Sequence, residues 1–280
     1  MSSDSGLPDI EEPWHRVVQL HVILGGRSYE ERDPALLTFD LNDSALRPST
    51  SCPSPGQYLL AMREVVGDCV VVLTPHAALS GAFAAANAAA LTYRQESSRS
   101  VEVVDTRTAG PAYSLVCRVA MNETSEAGEA RAVIKSVSAA VQMYGLVSSL
   151  APLLRSGRLG RTLARTVDKV DTRFMFRVSG RRFRPIGFSR DDPTTIDKLV
   201  RHATQKATGP VWAVGFSGHS SENAGYCLKI LATRIPVVCS WVFVAGPALI
   251  VHGGSTMAGF AIAPTSSLDP RGTASAPIQL

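Results

Sequence analysis

"CVVVLTPHAALSGAFAAANAAALTYRQESSRSVEVVDT", residues 69 to 106, decides the fold class. Two short apolar runs, CVVVLT (69–74) and VEVVDT (101–106), bracket the alanine-rich AFAAANAAALTYRQE (82–96). Short β-branched runs bounded by turn residues predict buried strands, and alanine has the highest helix propensity of any residue. Strand, helix and strand at this spacing predict two parallel strands joined by a crossover helix. Ligands in such sheets gather beyond the C-terminal strand ends. The turns after residues 74 and 106 are therefore the first place to look for a site.

Upstream, RVVQLHVIL (16–24) predicts a buried strand closed by a Gly25-Gly26 turn. The loop RPSTSCPSPG (47–56) crowds four hydroxyls, three prolines and a thiol into ten positions. Proline fixes φ, so this loop is stiff. Ser54 suits a helix cap, Pro55 the first helical position and Gln57 the capping box, which starts a helix running to about Gly67. Downstream, helices are expected near 111–122 and 127–145, and from about 148 the rhythm changes. TRFMFRVSGRRFRPIGF (172–188) predicts a hairpin turning at Ser179-Gly180. A helix (193–207), a strand (211–216), a helix (220–233) and two apolar strands (237–244 and 248–252) are expected to follow. The whole predicts an α/β protein of two domains. Residues 1–147 form an N-terminal, three-layer domain around a parallel sheet, and residues 148–264 form a C-terminal α/β domain with a mixed sheet. Residues 265–280 are expected to be disordered.

The 280 residues suffice to bury real cores, and 45% hydrophobic with 19% charged residues is a soluble globular composition. No apolar run reaches a membrane span; the longest, 237–251, is broken by Gly246 and Pro247. The start, MSSDSGLPDIEEPW, lacks the apolar core of a signal peptide. Five scattered cysteines without metal spacing fit reduced thiols, so a cytoplasmic location and no metal are expected. The net charge of +4 is uneven: Ala151 to Arg201 holds thirteen Lys and Arg against five Asp, a net of +8. No aromatic interleaving or nucleic-acid motif accompanies that charge, so no nucleic-acid partner is expected. It is either a solvated face or a docking face for an acidic partner.

Several stretches, read in order, resemble the DegV family of bacterial fatty-acid-binding proteins. STSCPSPGQY (49–58) is similar to the family's Thr-Ser-Gln-Pro-Ser-Pro loop, with Cys52 in place of glutamine. LTPHAALSGAFAAA (73–86) resembles its strand, Ser-rich turn and Leu-Ser-Gly, and VEVVDTRTAG (101–110) its Val-Ile-Asp-Ser strand end. LAPLLRSGRLGR (150–161) resembles its Gly-Gly-Arg segment, and GPALIVHGGSTMAG (246–259) its C-terminal His-Thr-Gly-Pro-Gly. There are departures. The family's first strand is missing ahead of Asp4-Ser5-Gly6-Leu7-Pro8. His76 and Ala77 replace two serines, and Gly253-Gly254-Ser255-Thr256 replaces Thr-Gly-Pro-Gly.

The resemblance implies a non-enzymatic carrier that holds one long-chain fatty acid between its domains and presents it to a kinase, which makes the acyl phosphate. It implies that Thr50, Ser51, Ser80, Gly81 and His252 hold the carboxylate, with His76 as a secondary contact and no cofactor. Neutral hydroxyls and N–H groups satisfy a carboxylate without burying an ion pair, and a helix start at Ser80-Gly81 adds partial positive charge. The residues themselves leave other readings open. Thr50 and Ser51 are also plain turn hydroxyls, Ser80 a helix cap, His252 a core histidine, and Asp105 a loop organiser or a cap. Arg158, aligned with Gly-Gly-Arg, is expected with Arg161 and Arg165 to dock the kinase, against the reading of surface arginines. Two alternatives from other classes remain. One is an acyl-ester hydrolase with Ser80 as nucleophile and His252 or His76 as base, although Leu79-Ser80-Gly81 lacks the nucleophile elbow. The other is a diverged relative that no longer binds lipid.

Overall fold

The stiff hydroxyl loop is the third strand of a small antiparallel sheet. In the computed structural model, which describes residues 1–2, 6–7, 12–123, 127–157, 172–180, 182–190, 192–205, 207 and 209–267, the chain opens with a hairpin. Strands β1 (His21–Leu24) and β2 (Arg27–Glu30) turn at Gly25 and Gly26, whose φ values of 55° and 84° suit a two-residue hairpin turn. β3 (Ser49–Ser51) pairs antiparallel with the other edge of β1, placing Thr50 opposite Val22. Leu20, Val22, Leu24, Leu36 and Leu41 form this sheet's core.

Helix α1 (Pro55–Glu64) starts as expected. The Ser54 hydroxyl accepts from the Gln57 N–H, while the Gln57 side chain accepts from the Ser54 N–H. β4 (Cys69–Thr74), α2 (Ala82–Glu96) and β5 (Ser100–Asp105) then form the parallel unit, in register from Cys69↔Ser100 to Thr74↔Asp105. α2 buries Ala82, Ala86, Ala89, Ala90 and Tyr93, a spacing that keeps one small-residue face on Val70, Val72 and Val101. Alanine there lets helix and strands approach closely. Helices α3 (Gly110–Glu123) and α4 (Ala127–Ala140) cover the opposite face at Leu73 and Val104. The parallel sheet expected from the sequence thus consists, among the described residues, of two strands between two helical layers.

The rest of the chain builds a six-stranded mixed sheet. β6 (Gln142–Val147) is followed by the short α5 (Ala151–Arg155), the hairpin β7 (Arg173–Ser179) and β8 (Arg182–Ser189), and α6 (Asp192–Thr204). β9 (Val211–Ser217), α7 (Ser221–Ala232), β10 (Val237–Val244), α8 (Pro247–Gly253) and β11 (Ala258–Pro264) complete it. The strand order is β10-β9-β11-β6-β7-β8; only β10 and β9 run parallel. One face packs on α6 and α7 through Leu199, Val200, Cys227 and Leu231. The other packs on α3 and α4 through Val214, Phe216, Ala261 and Ala263. α3 and α4 are therefore shared: they are buried against both the parallel pair and the six-stranded sheet. Each large aliphatic side chain buried in that layer contributes roughly 1.5–3 kcal/mol.

Three sequence expectations are corrected here. The helix expected over 127–145 ends at Ala140, and residues 142–147 form β6. This strand fills the slot between β11 and β7, and Gly145 fits because a side chain there would meet the Phe176 ring at 2.6 Å. The strand expected over 248–252 is helix α8. A five-residue apolar run carries too little period to separate strand from helix; Pro247 at the helix start and the Glu31 carboxylate, which accepts the Ala248 N–H at 3.2 Å, decide for helix. β11 was not expected at all. Its AGFAIAP pattern is set by contact, since Gly259 lies against the Tyr144 carbonyl, where a Cβ would come within 2.1 Å. In the tail, Thr265–Ser267 form a 3-10 turn whose first N–H bonds the Pro210 carbonyl, and residues 268–280 lie outside the described residues.

Candidate functional site

Thr50 occupies the centre of β3 with its neighbours Ser49 and Ser51 exposed, so pairing to β1 turns the Thr50 side chain inward. There its hydroxyl lies 2.7 Å from Nε2 of His252, a residue 202 positions away. His252 reaches this point because α8 is pinned twice. Ala248 and Val251 bury into the core of the small sheet, and the buried Glu31 carboxylate holds the first turn of α8. A carboxylate at a helix N-terminus is favourable because the unsatisfied N–H groups carry partial positive charge. Beyond α8, Gly254 (φ 79°) turns the chain against Pro152, and Asn42 clasps Ser255 through its backbone N–H (3.0 Å) and hydroxyl (3.1 Å). Asp40 in turn accepts from the Asn42 backbone and side chain, which lowers the Asp40 pKa below the usual carboxylate value.

The same loop reaches α2. Cys52 Sγ would lie 3.0 Å from a Cβ added at Gly81, so glycine is what permits the approach. Gly81 is the N-cap of α2 and supplies no side chain to the first-turn amides. Ser80 accepts the Ala82 N–H at 3.2 Å, so it acts as the cap reading expects, and its hydroxyl is engaged with that amide rather than with an imidazole. His76 is organised within the same turn. Its N–H bonds the Thr108 carbonyl at 2.8 Å, its carbonyl accepts from Leu79 and Ser80, and its Nδ1 accepts the Ala78 N–H at 3.1 Å. A neutral His76 therefore carries its proton on Nε2. Asp105 accepts from Arg107 (2.8 Å) and Ala77 (3.3 Å), drawing the turns after β4 and β5 together. Thr106 reinforces the link by donating to the Thr74 carbonyl at 2.9 Å.

The structure thus joins Thr50 directly to His252 and sets Cys52 against Gly81, with Ser80 and His76 bonded inside the adjoining turn. Ser51 is exposed. Arg158, Arg161 and Arg165 lie outside the described residues. Sequence reading missed Glu31, Asn42 and Ser255; the Asp40-Leu-Asn42-Asp43 cluster signals a turn, but nothing local shows that it grips residue 255. Cavities among the described residues include two away from this site. One of about 320 Å³ is lined by Trp14, Tyr58, Met62, Val72, Met121 and Ile134 among others. One of about 210 Å³ is lined by Arg173, Ser217, His219, Asn223, Tyr226 and Met257 among others. Among the described residues no cluster of three His, Cys, Asp or Glu could hold a metal, and no helix is long and apolar enough to cross a membrane.

Comparison with known proteins agrees with this architecture. A DegV domain-containing protein of Deinococcus radiodurans is 29% identical over 259 residues, covering 89% of this chain and 88% of the relative. A fatty-acid-binding DegV family protein from Thermus thermophilus superposes with a TM-score of 0.79 at 22% identity, over 94% of this chain and 97% of the other. The Fatty Acid Kinase (Fak) B3 protein of Streptococcus pneumoniae, solved loaded with linoleic acid, superposes with a TM-score of 0.73 at 14% identity, over 94% and 97%. At these identities the likeness to the solved structures is one of fold. The family model described as an uncharacterised protein of the DegV family matches residues 9–265, and the chain belongs to the DegV family.

Proposed function

We propose that this chain is a carrier that holds a long-chain fatty acid by its carboxylate, between the N-terminal and C-terminal domains expected from the sequence, with β6 (142–147) counted with the C-terminal sheet. The observation that carries the reading is the 2.7 Å bond between Thr50 and His252, on the loop whose Cys52 packs against Gly81 at the N-terminus of α2. A carboxylate displacing part of that bond would accept from the threonine hydroxyl and the imidazole N–H. Gly81, Ser80 and Ser51 would supply further donors, and the Nε2 proton of His76 a secondary one. All are neutral groups, so the anion is held without a buried ion pair and its oxygens stay available for reaction.

The Thermus and Streptococcus proteins named above bind fatty acids, and the streptococcal one is named for a fatty acid kinase. Their likeness supports a carrier that delivers its ligand to a cytoplasmic kinase, with docking through Arg158, Arg161 and Arg165, rather than an enzyme. Native mass spectrometry of the purified chain tests the binding reading: the expected result is one retained acyl chain per protein, and a melting temperature raised by added oleate. Protein that is empty and shows no shift with oleate or palmitate contradicts it.

A further inference from the structure

The β7–β8 hairpin carries a charge pattern that the ligand reading does not use. Thr172 to Arg190 holds six arginines and neither aspartate nor glutamate. The register sets Arg184 directly opposite Arg177, with Arg182 opposite Ser179, so three guanidinium groups share one face. Like charges directly opposed across a sheet are destabilising. Among the described residues, Arg177, Arg182 and Arg184 enter none of the ion pairs seen, such as Arg16–Glu64 and Arg234–Asp197. Lys198, bonded to Ser189, and His202, beside Tyr144, come from α6 and add no negative charge to this face.

The opposite face of the hairpin is aromatic. Phe183 stacks on Phe174 and Phe176 at 6.0 and 4.8 Å, and Phe188 packs edge-on against Phe174 at 5.4 Å while remaining 45% exposed. β8 is the outermost strand of the six-stranded sheet. Charge and proline on an edge strand protect it from pairing with other strands, which accounts for Arg182 and Pro185. Arg177, on the inner strand β7, also bonds the Tyr144 hydroxyl; edge protection explains neither its place opposite Arg184 nor an exposed phenylalanine.

We propose that this hairpin docks the protein edge-on to a membrane surface rich in anionic phospholipid. Guanidinium groups on one face would meet headgroup phosphates, relieving the Arg177–Arg184 repulsion, while Phe188 enters the boundary with the acyl chains. Single-stranded nucleic acid is held by aromatics stacking on bases beside backbone cations; here the cations and aromatics lie on opposite faces. The inference stands on the hairpin alone and is independent of the ligand reading.

Vesicle flotation of the full chain tests it, using phosphatidylcholine vesicles with and without 30% phosphatidylglycerol, a composition set by the experiment on the order needed for a strong surface charge. The expected result is binding to the anionic vesicles only, weakening as salt rises. Arg182→Glu with Arg184→Glu should weaken it by at least about tenfold, and Phe188→Ser by a few-fold. Should the charge-reversed protein melt early, the salt series on wild type and the Phe188→Ser variant decide. Absence of binding to anionic vesicles, equal binding to neutral ones, or unchanged binding by the charge-reversed protein overturns the proposal. Binding of wild type to immobilised polyglutamate without vesicle binding also overturns it, in favour of an acidic protein partner.

Discussion

The Thr50–His252 clasp and the β7–β8 hairpin are the two most distinctive polar regions of the molecule, and they are built in opposite ways. The clasp contains no arginine or lysine. It is assembled from three segments that are distant in the chain: β3, the turn before α2, and the last turn of α8. Its hydroxyl and imidazole are already bonded to each other, so a carboxylate there would exchange one set of hydrogen bonds for another. The hairpin is local in sequence, concentrates cations on one face, and leaves them without anionic partners among the described residues. If both proposals hold, the difference teaches that charge marks where this protein meets large anionic surfaces, whereas a single anion is held by geometry.

The comparison breaks first if the scaffold common to both regions is damaged. Gly259, with φ 152° and no room for a side chain beside the Tyr144 carbonyl, seats β11 between β9 and β6. Gly259→Val should cost about 3 kcal/mol of stability. Thermal or denaturant unfolding should show it, and ligand and vesicle binding should fall together. An unchanged melting temperature would show that the sheet does not set both regions.

A smaller change separates them. Gly81→Ala puts a methyl group 3.0 Å from Cys52 Sγ and should weaken oleate binding by about 1 kcal/mol, with vesicle binding untouched. Adding Cys52→Ala should restore most of the loss, because the clash is with sulfur; a failure of rescue would mean that the loop does not rest on α2. The smallest expected effect concerns thiols. Cys227 is buried between α7 and the six-stranded sheet, and burial pushes its pKa up to about 12. The native protein at neutral pH should therefore leave Cys227 unmodified by iodoacetamide, while the half-buried Cys52 is alkylated and oleate slows that reaction. Peptide mapping checks both sites, and labelling of Cys227 at the rate of Cys52 would count against the packing of α7.

Much of the frame was legible in the sequence. The parallel unit over 69–106 carries strong local signals at both strands, and α2 spans the alanine-rich stretch 82–96 expected to form it. The capping box at Ser54 and Gln57 and the hairpin turn at Ser179-Gly180 are likewise local chemistry. What could not be read depends on distant partners. β6 and β11 are strands because each lies beside the other, more than a hundred residues away, with glycine at both close approaches. α8 is a helix because Glu31 binds its first turn from 217 positions upstream. The candidate site shows the same division: Thr50 stood out in a hydroxyl-rich loop and Ser80 through the family resemblance, but the grip of Asn42 on Ser255 has no local signature.

The central claim, that a fatty acid is held by its carboxylate at Thr50 and His252, is tested most directly by comparing oleate with oleyl alcohol in wild type and Thr50→Val. Removing the hydroxyl keeps the shape and deletes a donor worth about 1–3 kcal/mol to a charged acceptor. Calorimetric titration should show wild type preferring oleate by about tenfold or more, with most of that preference lost in Thr50→Val and the affinity for the alcohol nearly unchanged. Equal affinity of wild type for acid and alcohol, or a Thr50→Val protein that keeps the full preference for oleate, would contradict the account.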